Sequence, residues 1–255
     1  MKQKICASFS ALAFASAFSF SAQADVIYGI YAGAQGWAMQ TDGAFASGNT
    51  LTSFDFSDET QSNFYLALEH PIPFVPNVKV ATSELSTSGN TLLNSSFTFG
   101  GETFTTNTEL ATSFDIDTTD YILYYEILDN DLISVDVGLN GKKVDGAVSV
   151  VDATNSANSA AQDLSVIIPM LYSRAELGLP LTGWSIYGEA SYLAIDDNNI
   201  TDAQVALSYE LIDAIAADLS LQFGYRLVTM ELDDVDDIYS NIDFDGVFAG
   251  VQLHF

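Results

Sequence analysis

Apolar and polar side chains alternate residue by residue in many segments of this chain. The clearest segment runs from Leu219 to Leu227, where Leu, Phe and Tyr occupy the odd positions and Ser, Gln, Gly and Arg226 the even ones. Alternation with a period of two is typical of a β-strand with one apolar face. The pattern therefore predicts an all-β protein.

Similar segments of about 9 to 14 residues recur along the chain, close to the length that a tilted strand needs to cross a bilayer. Eight strands would follow if one hairpin lay outside the membrane, and ten is the preferred count. The ten predicted strands are 26–39, 62–70, 77–87, 118–128, 132–143, 164–178, 183–195, 201–211, 218–231 and 243–255.

The connections between these strands alternate in length. Four are short and five are long and rich in Ser, Thr, Asn, Gly and Asp. Short periplasmic turns and long outer loops are typical of transmembrane barrels, in which every backbone amide of the closed sheet is paired. We therefore predict one antiparallel transmembrane β-barrel, residues 25–255, with both termini in the periplasm. The short connections are 71–76, 129–131, 179–182 and 212–217; the long ones are 40–61, 88–117, 144–163, 196–200 and 232–242.

The first 24 residues have the features of a secretory signal peptide. Lys2 and Lys4 precede an apolar stretch, which is followed by Ala22-Gln23-Ala24. Cleavage after Ala24 also removes Cys6, the one cysteine of the chain, so thiol and disulfide chemistry are not expected.

The last ten residues alternate again and finish on an aromatic side chain, Phe255. They resemble the C-terminal signal by which bacterial outer-membrane barrels are recognised for insertion, and Val251, Leu253 and Phe255 are the residues that match it. The chain as a whole resembles the small outer-membrane β-barrel proteins of Gram-negative bacteria, a generic porin-like group. The resemblance implies a location in the outer membrane. It also implies contact with outer-membrane lipid and lipopolysaccharide, and with the barrel-insertion machinery through the C-terminal strand.

The net charge of the chain further limits the classes of partner that it could bind. Without Lys2 and Lys4, five basic residues face 34 acidic ones, a net charge of −29. Nucleic acid is excluded as a partner because phosphate binding needs a basic patch. Weak binding of divalent cations at the outer loops remains open, since Asp233, Asp234, Asp236, Asp237, Asp243 and Asp245 supply hard oxygen ligands; the alternative is a solvated loop.

Charged residues on the predicted inward faces form the candidate site. They include Glu69, Lys79, Glu126, Asp136 and Lys142. Like charges alone in a narrow lumen would destabilise it. The hypothesis is a lumenal ion-pair network; solvation of each charge by lumenal water is the alternative. The predicted members are Arg174, Arg226, Glu176, Glu189 and Glu210.

No enzymatic activity, cofactor or metal centre is predicted. The two histidines of the mature chain, His70 and His254, both fall at the periplasmic end, away from the acids of the outer loops. We expect a structural role or passage of small solutes; recognition or adhesion through the outer loops is the alternative, and a hydrolase at the rim is less favoured. Gly100-Gly101 is expected to form a tight turn. Expected membrane-interface aromatics are Trp37, Trp184, Tyr28, Tyr31, Tyr192 and Tyr225.

Overall fold

The computed structural model describes residues 28–255 apart from 49, 131, 215–216 and 236–237, so the predicted signal peptide lies outside the described residues. The strands are β1 (Gly29–Ala46), β2 (Thr52–Phe56), β3 (Glu59–Glu69), β4 (Asn77–Glu84), β5 (Thr87–Leu92), β6 (Phe97–Phe99), β7 (Glu102–Phe104), β8 (Glu109–Asp129), β9 (Ile133–Asp152), β10 (Asn155–Leu179), β11 (Trp184–Ile195), β12 (Asn198–Ile212), β13 (Asp218–Val235) and β14 (Ile238–His254). Among these residues no helix has the length and apolar character needed to cross a membrane.

The strands close into a ring of ten. β2 and β3 both pair with β1, and β4 and β5 both pair with β8, so each of these couples is one interrupted strand of the ring. The other strands pair with their neighbours in antiparallel order, and β1 pairs with β14 to close the sheet. The prediction of ten antiparallel strands is confirmed, and the eight-strand alternative is excluded.

The connections also follow the predicted order, but the segments predicted as long loops contain much strand. The four turns at the end that carries Phe255 are short; we call this end of the ring the lower end and the opposite end the upper end. The segment 144–163, expected as a loop, is strand except for a turn at 153–154. There Asp152 accepts hydrogen bonds from the Thr154 hydroxyl (2.7 Å), Thr154 N (2.8 Å) and Asn155 N (3.1 Å), which lower the pKa of Asp152. The upper segments are long, as predicted, but much of their length is sheet.

The two faces of the ring exchange their polarity between the lower and upper halves. In the lower half of β9 the outward side chains Val137 and Leu139 are exposed, and the inward Asp136, Asn140 and Lys142 are buried. Above Lys142 the outward residues are Lys143 and Asp145, with side chains 42% and 41% exposed. The inward residues there become apolar and buried: Val144, Val148 and Val150.

Other strands show the same exchange. The lower half presents an outward apolar surface, the lower belt, and the upper half presents outward acids. Belt residues include Phe64, Leu66, Tyr121, Leu123, Leu171, Val205, Leu207, Leu221, Phe223, Val247 and Val251. The outward acids above it include Asp115, Asp117, Asp163 and Asp243.

An aromatic core fills the upper half of the ring. β6 and β7 form a small hairpin, the cap hairpin, which lies across the upper mouth and contacts β1 and β10 on opposite sides of the ring. Its side chains Phe97, Phe99 and Phe104 are buried, and Phe45 of β1 packs against Phe99 with ring centroids 5.3 Å apart. Phe45 also stacks on Phe54 at 4.7 Å and meets Phe114 at 5.2 Å.

A tight turn joins the two strands of the cap hairpin. Gly100 and Gly101 have φ angles of 56° and 82°, a conformation that glycine adopts without steric cost. The backbone of Ser47 donates to Thr98 O at 3.0 Å, which fixes the hairpin to the end of β1. The predicted turn at Gly100-Gly101 is confirmed, but its place inside the barrel mouth was not anticipated.

Candidate functional site

A layer of four charged side chains, the ion layer, crosses the lumen below the aromatic core. Asp120 of β8 and Lys142 of β9 are opposite each other in register, and their side chains form an ion pair of 2.8 Å. Lys142 also reaches across the lumen to Asp202 of β12 at 2.9 Å. Arg226 of β13 binds the same carboxylate through Nε at 3.0 Å and Nη2 at 2.8 Å. The layer therefore joins two opposite walls, and its formal charges cancel.

Neutral side chains make further hydrogen bonds with the ion layer, both as donors and as acceptors. Asn140 Nδ2 donates to Asp120 at 2.6 Å and to Ser191 at 3.0 Å. Arg226 Nη1 donates to Ser83 Oγ at 2.9 Å. The layer is thus hydrogen-bonded on several strands.

The guanidinium of Arg226 also lies 4.9 Å from the ring centre of Trp37, a cation–π contact. Trp37 is only 1% exposed, and its Nε1 donates to Gly246 O at 3.2 Å inside the barrel. The prediction that Trp37 lies at the membrane interface is therefore wrong. Tyr31 also turns inward, where it lines the lower lumen. The other expected interface aromatics face outward and are exposed: Tyr28, Trp184, Tyr192 and Tyr225.

A second cluster lies nearer the lower end. Lys79 Nζ binds both oxygens of Glu189, at 2.6 and 2.7 Å. Arg174 binds the same glutamate at 3.1 Å and Glu176 at 2.6 Å. Its guanidinium also lies 4.2 Å from the ring centre of Tyr187. Each cation of this cluster is therefore engaged by a carboxylate.

The residues of the predicted lumenal ion-pair network therefore do not form one network in the structure. The structure brings Arg174, Glu176 and Glu189 together, whereas Arg226 pairs with Asp202 in the separate ion layer. Glu210 is exposed at the lower rim and, among the described residues, has no ion pair. Glu210 pairs in register with Ser220 of β13, six residues below Arg226, and this separation along the strand explains why the two side chains do not form an ion pair.

The sequence prediction did not include Asp120 and Asp202, although these two residues supply both carboxylates of the ion layer. A signal was present, because Asp120 has the same parity as Glu126, and Asp202 the same parity as Gln204. Both acids lie inside the predicted strands, near their first residues. Applying the inward parity to the whole of strands 118–128 and 201–211 places both acids in the lumen.

Below the second cluster the lumen widens into a cavity of about 270 Å³, which we call the lower vestibule. Glu126 and Asp136 are opposite each other in register on β8 and β9, and Tyr124 donates to Glu69 at 2.8 Å. Arg174 contributes the inner wall. The lining side chains include Tyr31, Glu69, Tyr124, Glu126, Asp129, Asp136, Tyr172 and Arg174.

The histidines lie at the lower end, where the strand order placed them. His70 Nδ1 accepts a hydrogen bond from Ile72 N at 3.2 Å in the turn between β3 and β4. His254 stacks on Tyr31 with ring centroids 4.2 Å apart and lies 3.4 Å from Asp218. Both are held in local contacts at the rim. The expectation that the chain is not an enzyme stays a prediction.

In the part of the chain that the structure describes, no group of three or more His, Cys, Asp or Glu side chains is arranged to hold a metal ion. Asp236 and Asp237 of the acidic run lie outside this part. Asp243 accepts a hydrogen bond from Thr229 at 2.7 Å, and Asp245 accepts one from the Tyr225 hydroxyl. Binding of divalent cations at the outer segments stays a prediction.

The C-terminal strand presents its apolar residues outward. Val251, Leu253 and Phe255 are 43%, 39% and 52% exposed on the surface of β14. Phe255 exchanges two backbone hydrogen bonds with Ile30, of 2.9 and 3.1 Å, so the last residue is part of the ring closure. Their role as an insertion signal remains a prediction.

No protein-family model and no curated protein sequence matches the chain. Among solved structures it is similar to the outer membrane protease OmpT from Escherichia coli, with 10% identity over 89% of this chain and 97% of that chain and a TM-score of 0.54. It also matches the transport unit of the autotransporter AIDA-I from Escherichia coli, with 8% identity over 89% of this chain and 88% of that chain and a TM-score of 0.42. Identity this low shows the fold alone. The closed ring with its outward apolar belt is the fold of an outer-membrane β-barrel.

Proposed function

We propose that this protein is an integral outer-membrane barrel whose interior is closed and whose role is structural. The lower belt supports the membrane location. On β9 its outward face runs from Ile133 to Gly141, which is about 26 Å along the strand at about 3.3 Å per residue. A strand tilt of about 35 to 45° reduces this length to about 18 to 22 Å along the membrane normal, a few ångströms less than the apolar band of about 25 Å that is typical of outer-membrane barrels.

The orientation follows from the same belt. The chain's last residue and the short turns lie at the lower end, which in such barrels faces the periplasm. The upper half then stands above the hydrocarbon, where its outward acids are solvated. In this position the aromatic core lies outside the bilayer and the ion layer near its outer boundary.

The proposal of a closed interior rests on one observation: side chains fill the lumen at two successive levels. The cap hairpin and Phe45, Phe54 and Phe114 fill the upper level, with Phe99 and Phe104 at 0% exposure. The ion layer crosses the next level, where the remaining cavity is about 40 Å³. This volume holds about three water molecules, which supports a lumen closed to larger solutes between the upper mouth and the lower vestibule.

Single-channel recording in planar bilayers tests this proposal. The full mature chain is reconstituted, and its insertion is verified by heat-modifiable mobility in SDS gels of the same vesicles. We expect no discrete openings across a range of voltages. Reproducible openings from verified, folded protein would support passage of small solutes and overturn the closed interior.

A recognition role is the second candidate, and the long upper sheet favours it. β8, β9 and β10 continue well above the belt as paired strands, and a tight turn joins β9 to β10, so they present a firm surface with outward acids such as Asp115, Asp117 and Asp163. Replacing Asp115, Asp117 and Asp163 together by Asn would remove the negative charge of this surface. Unchanged attachment of cells to host or abiotic surfaces after that replacement would argue against recognition.

A further inference from the structure

The lower vestibule has an excess of negative charge that the protein's own cations do not neutralise. Glu69, Glu126, Asp129 and Asp136 all line it. Two cations, Arg174 and Lys79, also line it, but the ion pairs of Arg174 go to Glu176 and Glu189. Lys79, farther in, is likewise taken by Glu189. The vestibule thus attracts a cation from solution.

Asp136 shows where such a cation would be held. It is only 4% exposed, and its Oδ1 has no hydrogen-bond partner among the described residues. Arg174 is its neighbour in register on β10, yet no ion pair joins the two side chains. Buried polar atoms are nearly always hydrogen-bonded, and leaving an acceptor without a donor costs free energy. A ligand that donates an N–H to Oδ1 would remove this cost.

The other walls of the vestibule are aromatic. Tyr124 and Tyr172 lie with ring centroids 5.8 Å apart beside Asp136, and Tyr31 lines the opposite side near the opening. Aromatic faces attract ammonium groups, and they also cover the apolar carbons of an amine. Carboxylates combined with tyrosine rings form a surface that suits an organic ammonium.

The size of the cavity and the spacing of the acids further limit the class of ligand. A cavity of about 270 Å³ is slightly below the range usual for drug-sized ligands. No three acidic side chains of the described residues converge on a metal-binding point. An extended molecule with two separate donors therefore matches the distributed carboxylates better than a single ion.

We propose that the lower vestibule binds a small linear diamine from the periplasmic side, with one ammonium on Asp136 and the other among Glu126, Asp129 and Glu69. This site goes beyond the structural role, and it is open to solution in detergent-solubilised protein. Its failure would leave the closed barrel untouched, and channel activity would leave the site untouched.

Calorimetric titration of the folded mature chain in a nonionic detergent tests the site. The probe is 1,4-diaminobutane, and 1,4-butanediol is its neutral counterpart of similar shape. We expect saturable binding of the diamine and none of the diol. Absence of diamine binding, or equal binding of the diol, would overturn the proposal. So would saturable binding of magnesium that abolishes diamine binding at equal concentration.

Two variants locate the site, each checked for folding by heat-modifiable mobility. Asp136→Asn keeps the shape of the side chain and should weaken diamine binding at least tenfold. Glu126→Gln, at the more exposed end, should weaken it severalfold and serves if Asp136→Asn does not fold. The matched control is Asp152→Asn at the upper turn, which should bind like the unaltered protein. If Asp136→Asn or Glu126→Gln binds like that control, the vestibule is not the site.

Discussion

Asp202 is the residue on which the ion layer depends most, because one carboxylate binds two buried cations. Asp202→Asn keeps the shape but removes the charge that holds Lys142 at 2.9 Å and Arg226 at 2.8 Å. Asp120 still neutralises Lys142, so Arg226 is the cation left without a carboxylate. Removing one partner of a buried ion pair lowers the free energy of unfolding by about 3 to 5 kcal/mol. Because the Lys142–Asp120 pair remains, we expect a loss at the lower end of this range, about 3 kcal/mol.

The assay is urea unfolding of the protein folded in phospholipid vesicles, followed by far-UV circular dichroism. The change in midpoint multiplied by the slope gives the change in the free energy of unfolding. The matched control is Asp145→Asn, which breaks the Lys143–Asp145 pair on the outer surface, where both side chains are more than 40% exposed. Solvent and salt screen such a pair, and we expect no measurable change.

A double variant separates charge from packing. Adding Arg226→Met to Asp202→Asn removes the uncompensated cation, and Lys142 with Asp120 then remains neutral. Part of the lost stability should return, although Arg226 also gives up its contacts with Ser83 and Trp37. The reasoning fails if Asp202→Asn is as stable as Asp145→Asn, or if the costs of the two substitutions simply add.

Three further predictions concern packing and orientation. Gly138→Ala would place a Cβ 2.1 Å from the carbonyl oxygen of the neighbouring strand, so it should destabilise the barrel by about 1 to 3 kcal/mol and lower the temperature of the heat-modifiable gel shift. Phe99→Ala removes a fully buried ring of the cap hairpin and should cost about 3 to 5 kcal/mol in urea unfolding. In bilayers of brominated lipid, Trp184 of the Trp37→Phe variant should be strongly quenched, and Trp37 of the Trp184→Phe variant should not.

Each of these has a result that would contradict it. At Gly36 a Cβ would meet nothing within 4 Å, so equal stability of Gly36→Ala and Gly138→Ala would refute the register of β8 and β9. A cost below about 1 kcal/mol for Phe99→Ala would mean that the cap hairpin does not pack in the mouth. Quenching of Trp37 by brominated lipid would reverse the assignment of the two faces of β1.

The lower half of the fold could be predicted from the sequence because the two faces of every strand there lie in the same two different environments. Hydrocarbon outside and a polar lumen inside give a clean alternation, as in Leu219 to Leu227, and the ten strands follow from it. Part of the site follows too, since the parity of Arg174, Glu176 and Glu189 places them on inward faces. Alternation gives a side chain's face, however, and says nothing of which residue on another strand will be its partner.

The upper half could not be predicted by the same reasoning, because there the outward face of the sheet contacts water and the inward face packs into an apolar core. Between 144 and 163 Ser, Thr, Asn and Asp face water, and their abundance indicates a loop when hydrocarbon is assumed outside. The apolar residues Val144, Val148 and Val150 continue the inward face of Lys142, and this was the available signal. Phe97, Phe99 and Phe104 likewise alternate on the cap hairpin, but only the folded ring shows the core that they enter.

The exchange of polarity at Lys142 fixes how deeply the barrel can be immersed. Sinking by one pair of residues along β9 would draw Lys143 and then Asp145 into hydrocarbon, while rising by the same amount would expose the belt to water. Near the edge of the hydrocarbon a charged group costs about 0 to 1 kcal/mol, but this penalty recurs on every strand that carries an outward charge at this height, and it grows with depth. The outward faces of the strands themselves thus set the vertical position of the barrel.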